Sequence, residues 1–333
     1  MTETTELQKK PSMKEFLLKN FSFVVIILLI IIFTVLEPNF LNSVNVVNLL
    51  SDSTPLMIMA IGMTPVLILG SIDLSIGAMC SVANVLVLYL IVHLTNESSN
   101  LFIAVLISFL LTMLTGIASG VILGFIHVKL KVPSFIASLA FMSVWGSVAL
   151  LITDAPISMP KQSQHCIEWY KIHVGPIGLP LIITILLSLI LYFIITRTAF
   201  GRGVYAIGGN ERAARIAGIK VDKYKIIVFA INGLCAATGA IFLMAKGKSA
   251  APTAGDTFTL LVISAVVLGG TSLIGGKGNI LKTILGVFIV AIIKNGMNII
   301  GVNIFWQKIV YGVIVLIAVA VSVDRTSRSA VVK

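Results

Sequence analysis

The chain alternates long apolar runs with short polar stretches. Ten apolar segments stand out, at 21–36, 55–70, 76–94, 101–126, 133–153, 177–196, 225–245, 257–274, 280–299 and 304–323. At about 1.5 Å rise per residue, most are long enough to cross a hydrocarbon core of roughly 30 Å. The pattern predicts an all-α polytopic membrane protein of about ten spans. The first segment has no small-residue cleavage site behind it, so it reads as a retained span and not a signal peptide.

Two segments break at glycine. The second ends in Gly70-Ser71-Ile72-Asp73-Leu74-Ser75-Ile76-Gly77, and the eighth in Gly269-Gly270-Thr271-Ser272-Leu273-Ile274-Gly275-Gly276. Each break follows a Val/Leu/Ile run and is itself followed by a hydroxyl residue. Non-helical backbone at membrane depth persists only where protein or a wet cavity surrounds it. Paired broken segments therefore point to a transport pathway, with tight packing turns as the alternative. Asp73 has two candidate roles: capping the following span at a closed inner gate, or touching a solute. Phe135, with Phe141 and Trp145, is placed either on the pathway or in ordinary packing.

Composition sharpens the class. The chain is 58% hydrophobic and 11% charged, against roughly 25% charged in a soluble domain, which excludes a soluble enzyme and a disordered chain. Its net charge of +11 would suggest nucleic acid in a soluble protein. Here the basic residues follow the membrane instead. With the N-terminus inside, eighteen Lys and Arg fall on the cytoplasmic side and six outside, the bias that sets orientation. Both termini are predicted cytoplasmic, and no nucleic-acid partner is implied. The three cysteines and four histidines show no metal or disulfide spacing.

Seven basic residues fall between Arg197 and Lys225. Within that loop Asn210 is a good N-cap, Glu211 suits a first turn, Arg215 suits a last turn, and Gly218 stops the helix. A short cytoplasmic helix is expected over 210–217. It is marginal alone, so it needs a partner to hold it. With only alanines and Ile216 for an apolar face, a protein groove fits it better than a lipid interface.

These residues resemble the coupling loop of bacterial ABC-transporter permeases of the ribose/galactose/xylose class. Thr198, Phe200-Gly201-Arg202, Tyr205-Ala206-Ile207-Gly208-Gly209-Asn210, Ala213-Ala214 and Gly218-Ile219 stand in that family's signature. Three further motifs match in order: Gly62-Met63-Thr64 with 70–77, Val132-Pro133-Ser134-Phe135-Ile136-Ala137-Ser138-Leu139, and Ala265–Leu273 with Gly275-Gly276-x-Gly278. One place departs. The family commonly has Glu-Leu-x-x-Ile before Ala265, where this chain has Thr259-Leu260-Leu261-Val262-Ile263.

The resemblance implies a permease domain over 21–323 between cytoplasmic tails at 1–20 and 324–333, with a coupling loop at 196–225. It implies a second permease copy, a cytoplasmic ABC ATPase that binds ATP and Mg, and a periplasmic or lipid-anchored sugar-binding protein. No cofactor and no catalytic residue is expected in this chain, which has no G-x-x-x-x-G-K-[ST] run. Gly208, Gly209, Asn210, Glu211, Arg212, Ala213, Ala214, Arg215 and Gly218 are the expected ATPase-coupling residues. Gly70, Asp73, Ser75, Gly77, Phe135, Gly269, Gly270, Thr271 and Ser272 are the expected pathway or gate residues. The implied function is import of a monosaccharide by alternating access. A nucleoside, an autoinducer-type sugar and, from another class, an ATPase-independent secondary transporter are the alternatives.

Overall fold

A computed structural model describes residues 21–97, 100–175 and 177–322. The two expected tails, 1–20 and 324–333, lie outside the described residues. Thirteen α-helices run through the described residues. They are α1 Phe21–Leu36, α2 Ser43–Asp52, α3 Thr54–Ile68, α4 Ile76–Glu97, α5 Leu101–Lys129, α6 Ser134–Ile152, α7 Leu179–Arg197, α8 Ala199–Gly209, α9 Glu211–Ile216, α10 Val221–Gly247, α11 Phe258–Leu268, α12 Ile280–Ile299 and α13 Ile304–Ser322.

Among the described residues, seven helical segments are long and apolar enough to cross a membrane, and three more apolar helices are shorter. Together they account for the ten segments read from the sequence, with two differences. The second segment begins earlier, because α2 runs almost directly into α3 and the pair forms a 26-residue span from Ser43 to Ile68. The eighth does not cross as a helix. α11 has 11 residues and reaches only about 16 Å, and residues 269–279 then return as a loop to α12.

α3 forms the centre of the molecule, with all fifteen of its residues buried. That explains a sequence apolar on every side, with no polar stripe. It packs against α10, α11 and α12. The tightest pairing joins α5 to α10. Gly116, Gly120 and Gly124 on α5 lie so close to Gly233, Phe229 and Ile226 that a Cβ on Gly116 or Gly120 would collide with the facing carbonyls. Small residues spaced by four are what bring membrane helices into such contact. α5, α6 and α7 turn most of their surface outward.

At one end of the bundle a 3₁₀ helix (Lys161–Lys171) and two small sheets cover the helix ends. One sheet pairs β1 (Ile157–Ser158) with β4 (Ser249–Ala250), and the other pairs β2 (His173–Val174) with β3 (Ile177–Gly178). The opposite end carries α8 and α9. α3 and α11 run in the same direction toward that end, and both stop there in the same way. Gly70 (φ +73°) and Gly270 (φ +85°) take the left-handed conformation. The next amide, Ser71 or Thr271, reaches back to Val66 or Val266 at 3.1 and 3.2 Å. Each stop is a Schellman motif, and glycine supplies the backbone it needs.

Candidate functional site

α9 is capped at both ends. The Asn210 Oδ1 accepts from the Ala213 N–H at 3.0 Å. Glu211 lies in the first turn and Arg215 in the last, the order that the helix dipole favours. At the far end Gly218 (φ +83°) closes a third Schellman motif, with the Ile219 N–H donating to the Ala214 carbonyl at 3.0 Å.

The expected need for an outside partner to hold so short a helix is met in part from within the chain. Ala214 is buried. The Glu211 carboxylate accepts from Lys225 Nζ at 2.8 Å and from Arg215 at 3.3 Å, and Arg215 also reaches Asp222 at 2.9 Å. Asp222 and Lys225 belong to the first turns of α10, so α9 is clamped to the start of that helix. Partial burial pushes the Glu211 carboxyl up, but Lys225 and Arg215 outweigh it and hold the group below the ordinary carboxylate range. The outer face stays open: Arg212, Ala213 and Ile216 are exposed, Ile216 by 81%.

α8 brings Gly208 and Gly209 against the end of α3 and against the return loop that follows α11. A Cβ on Gly208 would collide with the Ile68 carbonyl at the end of α3 and with the Gly276 amide. The Gly276 N–H donates to that same Ile68 carbonyl at 2.8 Å. The Tyr205 hydroxyl, one turn earlier on α8, donates to the Gly278 carbonyl at 2.8 Å. Gly275 fills the gap between the Gly70 amide and the Gly208 carbonyl. Three glycine motifs that are far apart in sequence thus form one junction, in which backbone lies on backbone beside α9.

The remaining pathway candidates lie at separate places in the bundle. Asp73 is buried, at 5% exposure. Its Oδ1 accepts from the Ser75 amide at 2.8 Å and the Ser75 hydroxyl at 2.6 Å, and its Oδ2 accepts from Asn232 on α10 at 2.8 Å. The carboxylate therefore holds the start of α4 and ties it to α10. The Gly77 N–H donates to Thr259 Oγ1 at 3.2 Å, and that hydroxyl donates to the Leu74 carbonyl at 3.3 Å. Thr259 occupies part of the departing motif and here staples α11 to the start of α4.

Gly269 lies against the Lys282 carbonyl of α12. The Ser272 N–H donates to the Lys277 carbonyl at 2.9 Å and shapes the return loop. Thr271 Oγ1 is buried with no hydrogen-bond partner among the described residues. Phe135 is not brought into the junction. Its side chain is exposed at the start of α6, although the neighbouring Ser134 Oγ accepts from the Ile72 N–H at 3.2 Å. Sequence reasoning missed Ile68, Asp222 and Lys225 as members of the site. Tyr205, Gly275, Gly276 and Gly278 stood inside motifs, but nothing local showed what they face.

Comparison with known proteins agrees with this architecture. The family described as "Branched-chain amino acid transport system / permease component" matches residues 45–319. The ribose import permease protein of Bacillus subtilis (strain 168) is 37% identical over 298 residues, covering 89% of this chain and 90% of that protein. The ribose import permease protein of Escherichia coli (strain K12) is 36% identical over 325 residues, covering 96% and 98%. The D-allose transport system permease protein of Escherichia coli (strain K12) is 31% identical over 304 residues, covering 90% of each chain. No solved structure matches the chain. The chain belongs to this family of permease components, the multi-pass inner-membrane translocation subunits of ABC importers, which work with a separate ATPase and a substrate-binding protein.

Proposed function

We propose that two permease copies, this chain with itself or with a sister chain, form the pathway for a neutral monosaccharide of the ribose or allose kind. The relatives named for ribose and allose support the substrate class. One observation carries the mechanism: α9, open on its outer face, is clamped to α10, and the adjoining α8 is joined by backbone contacts to the end of α3 and to the return loop that follows α11. The distribution of basic residues supports a cytoplasmic position for α9, and with it cytoplasmic termini.

In this reading α9 docks on an ABC ATPase that binds ATP and Mg²⁺. Closure of the ATPase pair displaces α9. Interfaces packed at interior density transmit displacement with little compliance, and the junction has almost no side chain to absorb it. The end of α3 and the return loop after α11 therefore follow, and the pathway changes the side to which it opens. A periplasmic or lipid-anchored binding protein delivers the sugar to the opposite end. The chain performs no covalent chemistry.

The test is uptake of radiolabelled D-ribose by proteoliposomes holding the permease, its ATPase and the loaded binding protein. Uptake is expected to require ATP and all three components. Uptake that persists without the ATPase overturns the reading in favour of a secondary transporter.

A further inference from the structure

About 20 Å along α12 from the glycine junction, at the opposite end of the bundle, a shallow cleft opens between α2, α3, α11 and α12. Its polar lining is Asp52, Ser53, Lys294, Asn295 and Asn298, with Phe258 among its apolar walls. Lys294 is the anomaly. It stands on a membrane-crossing helix, where a charged side chain is costly and marks function by default. Among the described residues it has no ion-pair partner. Its Nζ lies 5.5 Å from the Phe258 ring centroid, and the nearby Asp52 carboxylate pairs with Lys246 instead.

The neighbouring groups divide into those already used and those left open. Asn295 exchanges amide hydrogen bonds with Asn45 at 3.0 and 2.9 Å, so it is spent. Asn298 accepts from Gln307 at 2.9 Å through Oδ1, which leaves its NH₂ free to donate. The Ser53 hydroxyl donates to the Leu50 carbonyl at 2.7 Å, which leaves its lone pairs free to accept. The cleft thus offers donors from Lys294 and Asn298 beside acceptors from Ser53 and from the Asp52 oxygen that Lys246 does not hold. An anion, which only accepts, would gain Lys294 but leave the acceptors of Ser53 and Asp52 unmatched. A neutral polyol, whose hydroxyls both donate and accept, satisfies both kinds of group.

We propose that this cleft binds one hydroxylated edge of a neutral sugar as it enters the pathway, with Lys294 as the principal donor. The proposal rests on the monosaccharide-importer reading and assigns that reading its entry site. It places the cleft on the extracytoplasmic side, where the binding protein delivers its cargo.

The test uses the full complex in proteoliposomes, with D-ribose as the probe. Lys294→Met should lower the maximal uptake rate at saturating loaded binding protein about tenfold. Lys294→Arg, which keeps a cationic donor, should retain a third or more of the rate. A binding readout runs beside it. Leu49→Cys at the rim of the cleft, in a Cys166→Ser background, is labelled with a membrane-impermeant maleimide. D-ribose should slow the labelling, and adding Lys294→Met should abolish that protection. If Lys294→Met does not assemble, Asn298→Ala carries the same test, with protection expected to fall about threefold.

Unchanged uptake and protection in Lys294→Met, with normal ATP-dependent uptake by the parent, overturns the entry site and leaves the importer reading standing. Protection by a sugar acid but not by ribose overturns the neutral-polyol assignment. A parent complex that moves no neutral monosaccharide removes the importer reading, and the entry site with it.

Discussion

Glu211 shares one carboxylate between Lys225 at the start of α10 and Arg215 within α9. Glu211→Gln keeps the size and removes the charge. Because the carboxylate is half exposed, its pairing with Lys225 contributes under about 1 kcal/mol. Expression and thermal stability should therefore hardly change. The ratio of sugar imported to ATP hydrolysed should fall several-fold, because α9 loses its pair with Lys225 and is held to α10 by Arg215–Asp222 alone; an unchanged ratio would show that the Glu211 pairs play no part in coupling. The pH dependence follows from the depressed carboxyl. A group whose folded-state pKa lies below its unfolded value contributes stability above the unfolded value and loses it as pH falls through the folded one. Coupling in the parent should thus be flat from about pH 6 to 8, as far as Glu211 is concerned, and should decline only below the ordinary carboxylate range. Asp73 belongs to the interior. Asp73→Ala leaves the Asn232 amide and the Ser75 amide and hydroxyl without their acceptor, a loss of roughly 1–3 kcal/mol, readable as a lower detergent melting temperature.

At the scale of the elements, the two kinds of glycine predict opposite outcomes. Gly208 has no room for a side chain against the Ile68 carbonyl, so Gly208→Ala should separate α8 from α3 and reduce the yield of folded protein. Gly218 faces open space but sits at φ +83°. There Gly218→Ala should cost about 1–2 kcal/mol of backbone strain, leave the protein folded, and lower coupling. Size-exclusion yield beside the uptake-to-ATP ratio separates the two effects. The helix α9 was legible in the sequence because its signals are local: Asn210, Glu211 and Gly218 lie within nine residues. The junction was not. Gly70, Gly208 and Gly276 meet through backbone atoms across more than a hundred residues of chain, and such contact imposes glycine but no periodicity. Lys225 was unreadable as a partner of Glu211 for a related reason, since the turn between α9 and α10 decides which residues face each other.

For the molecule as a whole, the ten apolar segments and the bias of Lys and Arg carried most of the architecture, because the bilayer imposes a length and a charge rule on every span. The sequence was silent on depth. α3 and α6 are comparably apolar, yet α3 is wholly buried and α6 mostly turned outward, and only packing against α10 and α11 distinguishes them. The importer reading joins two ends of that bundle, with an ATPase at α9 and a sugar arriving at the Lys294 cleft. The most direct measurement is D-ribose uptake by proteoliposomes carrying permease, ATPase and binding protein, with ATP hydrolysis recorded in the same samples. Uptake should require ATP and the ATPase, and in Glu211→Gln hydrolysis should continue while uptake falls. Uptake that proceeds at full rate without the ATPase, or a Glu211→Gln complex as well coupled as the parent, would contradict it.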